Sequence, residues 1–348
     1  RDMDLLRALL GERQLNYIGY SYGTWLGAWY ASLFPERVGR MLLDSSMDVS
    51  TDFGAATLQQ EMGGQRMIDD VLLPYVVRHP QRFNLGSSAP ALRSALLALA
   101  APIQSQLFVA LDFIDPLNIQ KNGWLLNAAV QLQALQQKNP AADAEQLHAA
   151  IDAHAFVSSA AENEAAAVFA HRLTDGLFAV PTRESVLLAP PAAVNVSVRC
   201  NDLATRGSAQ YWIDVGNDYA VRYPFTGGAA TANPCLYWGA PAAARPPLAA
   251  AATVGPLLLL QSRYDAMTPV ENAQTNLDSL PNASLIVVED EYKHGLFPYG
   301  LPCVDEKVVQ YFLQGTLPAR LSSCAGKPLA GDTDARTLAQ AAQDPRPD

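Results

Sequence analysis

The pentapeptide Gly19-Tyr20-Ser21-Tyr22-Gly23 constrains this chain more than any other feature. A short β-prone run, Leu15-Asn16-Tyr17-Ile18-Gly19-Tyr20, leads into it, and an apolar helical stretch from Thr24 to Phe34, closed by Pro35, leads out. G-x-S-x-G at a strand-to-helix turn lifts a serine hydroxyl clear of a sheet, and the flanking glycines let strand and helix approach closely. The backbone N–H of Tyr22, beside the helix N-terminus, then faces any oxyanion that forms on an attacked carbonyl. Ser21 is therefore the candidate nucleophile.

The surroundings fit a sheet built for such a turn. Residues 2–11 carry apolar positions at helical spacing and end on Gly11, and Arg40-Met41-Leu42-Leu43-Asp44 is a second short apolar run. Helix, strand, helix and strand thus alternate at the start of the chain, as in a parallel sheet with crossover helices. The alternation then stops. From about residue 50 to 245, Ala/Leu/Gln-rich segments at helical spacing dominate, with helices predicted over 57–79, 90–109, 121–138, 143–157 and 161–175. An Ala/Pro-rich stretch over 240–253 reads as a linker back to the first unit. Beyond it, Pro256-Leu257-Leu258-Leu259-Leu260-Gln261 has the continuous apolar character of a buried parallel strand and runs into Ser262-Arg263-Tyr264-Asp265. Thr268-Pro269 predicts an N-cap and first helical position, and Ser284-Leu285-Ile286-Val287-Val288 predicts the next strand, followed by Tyr292-Lys293-His294-Gly295. A last helix is predicted over about 304–314, before a polar tail over 326–348 that should be poorly ordered.

Composition removes several function classes. With 348 residues, of which 49% are hydrophobic and 17% charged, the chain has the material for two compact units, or one with a large insertion, and is not dominated by disorder. No apolar run is long enough to span a bilayer. A formal charge of -10, with no basic stripe, argues against a nucleic-acid partner.

A serine nucleophile needs an imidazole base held in the right tautomer by a carboxylate. His79, His148, His154 and His171 fall on the insertion's helical segments, where solvent-facing or structurally satisfied histidines are expected. His294 follows a sheet strand directly, Asp265 also ends one, and the order Ser, Asp, His along the chain is that of the α/β-hydrolases. Asp44, at another strand end, is the second choice of acid. Cys200, Cys235, Cys303 and Cys324 are widely spaced with no C-x-x-C pair, so two disulfides are expected rather than a metal site. Of the three connectivities, sequential pairing is favoured, because each such pair brackets one local segment. Disulfides imply a secreted or periplasmic protein. No cofactor and no metal is called for.

Several motifs together resemble the secreted tripeptidyl aminopeptidases, in the prolyl-aminopeptidase branch of the α/β-hydrolase serine peptidases. They are Asn16 to Thr24 around the elbow, Phe34-Pro35-Glu36-Arg37-Val38, Cys200-Asn201-Asp202, Ser262 to Pro269, and Lys293-His294-Gly295. The resemblance covers roughly residues 1–50 and 195–325. It implies a mostly parallel sheet with flanking helices and a helical cap shaping the cleft: hydrolase core over 1–50 and 246–325, cap over 51–245. It implies a serine exopeptidase that removes short peptides, of tripeptidyl or prolyl type, from a substrate with a free N-terminus. Ser21 is then the nucleophile, His294 the base and later the acid, and Asp265 the orienting carboxylate. Relatives hold the substrate's ammonium group with cap carboxylates. Asp202, with Glu162 and Glu164 behind it, is the candidate for that role.

One departure stands out. The family's Gly-rich oxyanion loop lies upstream of the serine, after an earlier strand, and no such loop precedes residue 21. The expectation is therefore that the first strands of the sheet, and a signal segment before them, are missing from this chain. Two other readings follow: an esterase or lipase using the same triad, or a non-catalytic fragment lacking the upstream loop.

Overall fold

The computed structural model describes residues 1–179, 190–202, 207–228, 234–239, 244 and 246–332. Its centre is a five-stranded sheet, all parallel, in the order β1 (Leu15–Tyr20), β2 (Val38–Asp44), β3 (Leu257–Ser262), β4 (Ala283–Glu289) and β5 (Leu321–Ala325). β2 and β3 are adjacent and parallel although 212 residues separate Asp44 from Leu257 in the chain. The whole helical insertion therefore leaves and returns at neighbouring strands.

The period-2 geometry of strands sorts the apolar runs onto two faces. Met41, Leu43, Leu257, Leu259, Leu285 and Val287 point to one side, where α2 (Tyr22–Leu33) contributes Tyr30 and Ala31 and α13 (Val270–Ser279) contributes Val270, Ala273 and Leu277. Leu42, Leu258, Leu260, Ile286 and Val288 point to the other, against Val304, Val308 and Tyr311 of α14 (Pro302–Gln314). β3 is buried at all six positions, which is why its sequence is an unbroken leucine run rather than an alternating one.

The insertion is a helical cap with its own core. It contains α3 (Phe53–Arg66), a π-helical stretch at Met67–Leu72, α4 (Leu73–Val77), α5 (Pro80–Phe83), α6 (Ala89–Leu97), α7 (Ala101–Ala110), α8 (Ile119–Lys138), α9 (Ala144–Asp152), α10 (Ala160–Phe178), α11 (Pro190–Asp202) and α12 (Ala209–Arg222). Met67, Ile68, Leu72, Phe83, Leu96, Leu126, Ile151 and Phe156 are fully buried there.

The structure departs from the sequence reading in five places. The helix predicted over 90–109 is broken at 98–100 by Pro102 in the first turn of α7. α11 and α12 are not among the predicted helices; Cys200 is the buried residue of the first, and Trp212 and Gly216 are those of the second. Part of the expected 240–253 linker is a 3-10 turn, Leu248–Thr253, set against α2; residues 240–243 and 245 lie outside the described residues. β5 was not predicted at all, because Leu321-Ser322-Ser323-Cys324-Ala325 is short and polar and is held by ladder bonds to β4 and by a disulfide. The expected disordered tail begins instead with packed residues. Leu329 is buried, Tyr75 Oη donates to the Ala330 carbonyl at 2.7 Å, and Asp332 pairs with Arg78. Residues 333–348 lie outside the described residues.

Helix α1 (Asp2–Leu9) exposes Leu5, Leu6, Leu9 and Leu10, and β1, which pairs with β2, exposes Ile18 and Tyr20. Among the described residues this edge of the sheet carries an uncovered apolar surface.

Candidate active site

Ser21 is the single residue between β1 and α2, and its backbone has φ 55 and ψ -121. That conformation is rare for a residue with a Cβ and costs roughly 1–3 kcal/mol, so it persists only where neighbours impose it. Here they do. Ser21 N donates to the Asp44 carbonyl at 3.0 Å, and the Ser21 carbonyl accepts from Thr24 N at 2.9 Å and Thr24 Oγ1 at 2.6 Å. Of the two flanking glycines, Gly19 is the one that sterics require. A Cβ at Gly19 would lie 2.5 Å from the Gly23 carbonyl oxygen and 2.6 Å from Tyr17 Cε1, whereas one at Gly23 would meet only Tyr17 Oη, at 3.4 Å.

Asp265 and His294 are brought together beside the strand ends. Asp265 is fully buried in the turn after β3. Its Oδ1 accepts from Met267 N and Thr268 N, both at 2.9 Å, and its Oδ2 from Thr268 Oγ1 at 2.9 Å and Gln261 Nε2 at 3.2 Å. His294 Nδ1 lies 2.9 Å from Oδ2 and 3.1 Å from Oδ1. An ionised carboxylate only accepts, so Nδ1 carries the hydrogen and Nε2 is left with the lone pair that a base needs. Burial pulls the His294 pKa down, but the charge and hydrogen bond of Asp265, with a further contribution from Asp44, outweigh it and hold the imidazole above its ordinary value.

Among the described residues no hydrogen bond joins Ser21 Oγ to His294, and such bonds often close only when substrate arrives. The two are nonetheless built into one assembly. Tyr20 Oη donates to the Phe297 carbonyl at 2.6 Å, Gly295 N donates to Ser45 Oγ at 2.8 Å, and the Asp44 carboxylate accepts from Leu296 N at 2.9 Å and Phe297 N at 2.7 Å. Asp44, the second-choice acid, thus grips the backbone just after His294 while Asp265 takes the ring. Asp44 is fully buried, and burial pushes its carboxyl up to about 6 against the backbone hydrogen bonds that lower it.

Sequence reasoning missed four of these supports: Gln261, Thr268, Ser45 and Tyr20. For Thr268 a signal existed but was assigned elsewhere. Its place before Pro269 reads as a helix cap, yet its hydroxyl donates to Asp265, and Pro269 itself stands at the N-cap of α13.

The cap closes over the site at several points. Tyr22 opens α2 at the positive end of the helix dipole, and its hydroxyl donates to Asp202 Oδ2 at the end of α11. Desolvation pushes the half-buried Asp202 carboxyl up to about 6. Gln60 Nε2 donates to the Met267 carbonyl at 3.0 Å and His294 N to the Ile114 carbonyl at 2.9 Å. Glu61, next to Gln60 on α3, is pushed up to about 7 by burial, and nothing in the sequence marked it. Glu162 is committed to an ion pair with Arg82 inside the cap, at 3.0 Å to Nε, and Glu164 is exposed. Among the described residues neither is hydrogen-bonded or ion-paired to the Ser21, Asp265 or His294 segments. The cysteines pair sequentially, Cys200 with Cys235 and Cys303 with Cys324. The first disulfide lies two residues from Asp202, and the second ties α14 to β5.

Comparison with known proteins places the chain among hydrolases and peptidases. Residues 1–83 match the family model described as alpha/beta hydrolase fold, and residues 223–324 match the one described as TAP-like protein. The chain is 30% identical over 339 residues to a tripeptidyl aminopeptidase of Streptomyces lividans, covering 93% of this chain and 57% of the relative. It is 27% identical over 345 residues to the serine protease Hip1 of Mycobacterium tuberculosis, covering 93% and 60% respectively. A shorter match, 31% over 134 residues, is to carboxylesterase B of Mycobacterium tuberculosis, covering 37% of this chain and 25% of that protein. The chain therefore spans a little over half the length of the peptidases it resembles.

Proposed function

Because the chain has the α/β-hydrolase fold, we propose that it is the triad- and cap-bearing part of a secreted or periplasmic serine exopeptidase that releases short peptides, of tripeptidyl or prolyl type, from free N-termini. The observation that carries the chemistry is the hydrogen-bonded Asp265–His294 pair on a loop bound by its backbone to the two strand ends that flank the Ser21 elbow. In this reading His294 Nε2 takes the Ser21 hydroxyl proton as Oγ attacks the scissile carbonyl. The tetrahedral oxyanion is met by Tyr22 N–H, and the imidazolium, stabilised by Asp265, gives its proton to the leaving amine. Water then attacks the acyl-enzyme with His294 again as base, and the peptide acid leaves.

The exopeptidase step rests on the cap. Asp202, bound to the hydroxyl of the residue next to the nucleophile, and Glu61, beside the helix contact to Met267, are the carboxylates we assign to the substrate's ammonium group. Both are partly desolvated, which strengthens their pull on a cation.

Hydrolysis of unblocked tripeptide, dipeptide and N-acetylated nitroanilides by the natural polypeptide tests the proposal. Preference for a free N-terminus, lost in Ser21→Ala, is expected. Activity surviving Ser21→Ala would overturn the nucleophile assignment. The similarity to carboxylesterase B supports a second reading, hydrolysis of esters by the same triad. Faster turnover of short-chain esters than of any free peptide would favour it.

A further inference from the structure

Helices α9 and α10 carry a cluster that the proposed reaction does not use. His148 Nδ1 lies 2.6 Å from His171 Nδ1, His148 Nε2 lies 3.0 Å from Asp175 Oδ1, and His171 Nε2 lies 3.0 Å from Asp152 Oδ1. The ring centroids are 4.9 Å apart with their planes inclined by 23°. That separation is what the nitrogen–nitrogen contact plus a ring radius on each side adds up to. The imidazoles therefore meet edge to edge, with the two Nδ1 atoms on the line between the rings.

The row Asp175, His148, His171, Asp152 has three junctions, and each needs one hydrogen or one cation, since carboxylate oxygens and bare imidazole nitrogens only accept. Two neutral imidazoles bring two hydrogens. Placing both on the Nε2 atoms satisfies the two carboxylates and leaves two Nδ1 lone pairs facing each other. We propose that this facing pair binds one borderline transition-metal cation of the Zn²⁺, Cu²⁺ or Ni²⁺ class, with His148 and His171 as ligands and Asp175 and Asp152 orienting them.

The donor chemistry fits. Imidazole suits this group of metals, and a carboxylate on the far nitrogen is the usual partner of a ligating histidine, fixing its tautomer and raising its basicity. Metal–nitrogen bonds of about 2.0–2.1 Å at a tetrahedral angle put the nitrogens about 3.3 Å apart, so the rings need to part by less than an ångström and each to turn by roughly 35° to aim its lone pair at the ion. The two carboxylates balance the charge of a divalent ion. Both imidazole side chains are about one-third exposed, at 31% and 30%, so water can fill the remaining coordination positions. Among the described residues no group of three or more His, Cys, Asp or Glu is placed to hold a metal ion, so this is a two-ligand site of moderate affinity that braces α9 against α10. A third proton in the central junction is the competitor for the same place.

Calorimetric titration of the chelator-treated natural polypeptide with Zn²⁺, Cu²⁺ and, as control, Mg²⁺ tests the site. One Zn²⁺ or Cu²⁺ per chain and no Mg²⁺ are expected, with binding weakening on acidification. His148→Gln and His171→Gln, each checked for an unchanged melting profile, should lose at least tenfold in affinity, and Asp152→Asn with Asp175→Asn roughly 10–100-fold. Paramagnetic resonance of the Cu²⁺ form gives a readout on the unmodified chain, in which hyperfine structure from two imidazole nitrogens is expected. Identical titrations in wild type and the His variants, or a Cu²⁺ spectrum without two nitrogen ligands, would overturn the proposal and leave the junction to a proton.

Discussion

Replacing Asp265 by Asn is the sharpest test of how the site is held. The change is nearly isosteric and leaves the buried turn its volume, so what it alters is hydrogen-bond polarity. Oδ1 of Asp265 accepts two backbone N–H groups, from Met267 and Thr268, and only an oxygen can stay there. The amide NH₂ of the variant is thereby forced into the position of Oδ2, facing His294 Nδ1, where the carboxylate now lies at 2.9 Å; the Thr268 hydroxyl can turn to accept from it, and the 3.2 Å bond from Gln261 Nε2 is lost. Nδ1 must then accept, Nε2 must carry the hydrogen, and the imidazole can no longer take the proton of Ser21. A triad locked in the wrong tautomer loses about 10⁴-fold in kcat, equivalent to about 5 kcal/mol of transition-state stabilisation. The pH profile moves as well. His294 must be neutral to act as base, so activity is present above its pKa and lost as pH falls through it. In the native site burial lowers that pKa, but Asp265 and Asp44 raise it further, placing the acid limb of kcat/KM above the ordinary imidazole value of about 6.5. In the variant burial persists without the Asp265 charge, and the residual activity should show its acid limb at lower pH. Peptide nitroanilide hydrolysis across pH, with circular dichroism to confirm the fold, is the assay. A variant with native melting, activity within tenfold of wild type and an unmoved limb would refute the account.

Three further outcomes are expected. Asp44 has a folded pKa of about 6 against an ordinary 3.8; for an acid with a raised pKa the ionised form is the penalised one, so the cost is absent below the unfolded value and complete above about 6. Chemical denaturation should therefore show that Asp44→Asn removes a loss of about 3 kcal/mol that the native protein suffers between acid and neutral pH. Gly63→Ala would place a Cβ 2.6 Å from the Ala266 carbonyl and 2.8 Å from Pro269 Cγ, so it should cost roughly 1–3 kcal/mol in melting experiments and lower kcat by displacing the segment after Asp265. Removing the Cys303–Cys324 bridge, which closes a loop of sequence separation 21, should cost about 3 kcal/mol in urea titrations, while Cys303→Ser alone leaving stability unchanged would show that the bridge contributes nothing.

What the sequence revealed, and what it hid, follows from how local each signal is. The elbow, the β3 leucine run and the two strand-end residues Asp265 and His294 are legible because each is encoded within about six neighbouring positions. β5 is not legible, because Leu321–Ala325 owes its conformation to β4 and a disulfide rather than to its own residues. The supports of the site are hidden for the same reason. Gln261 and Thr268 look like a strand-end amide and a helix cap, and only the folded turn directs both at one buried carboxylate. Asp44 shows the limit from another side. A strand-end aspartate is a fair choice for the triad acid, and nothing in Leu42-Leu43-Asp44-Ser45 says that its oxygens go to the backbone of residues 296 and 297 instead. Burial-driven shifts, as at Glu61 and Asp202, have no local signature at all.

The cap and the sheet meet at all three corners of the site, and this bears on how substrate can enter. Next to Ser21, Tyr22 is bound to Asp202 of α11; two residues after Asp265, the Met267 carbonyl is bound to Gln60 of α3; and His294 N itself is bound to the Ile114 carbonyl in the segment between α7 and α8. Three elements, far apart in the cap sequence, each hold one segment of the candidate site. Lifting the cap as a rigid lid would break all three bonds at once and exchange them for bonds to water, at about 0.5–1.5 kcal/mol for each. It would also unseat the His294 backbone on which the proposed triad depends. Entry by movement of one contact at a time is cheaper, and the Tyr22–Asp202 contact is the one whose acid we assign to the incoming ammonium group. A substrate that takes over Asp202 replaces the bond it breaks, leaves the Gln60 and Ile114 contacts in place, and arrives beside the N–H that must receive the oxyanion.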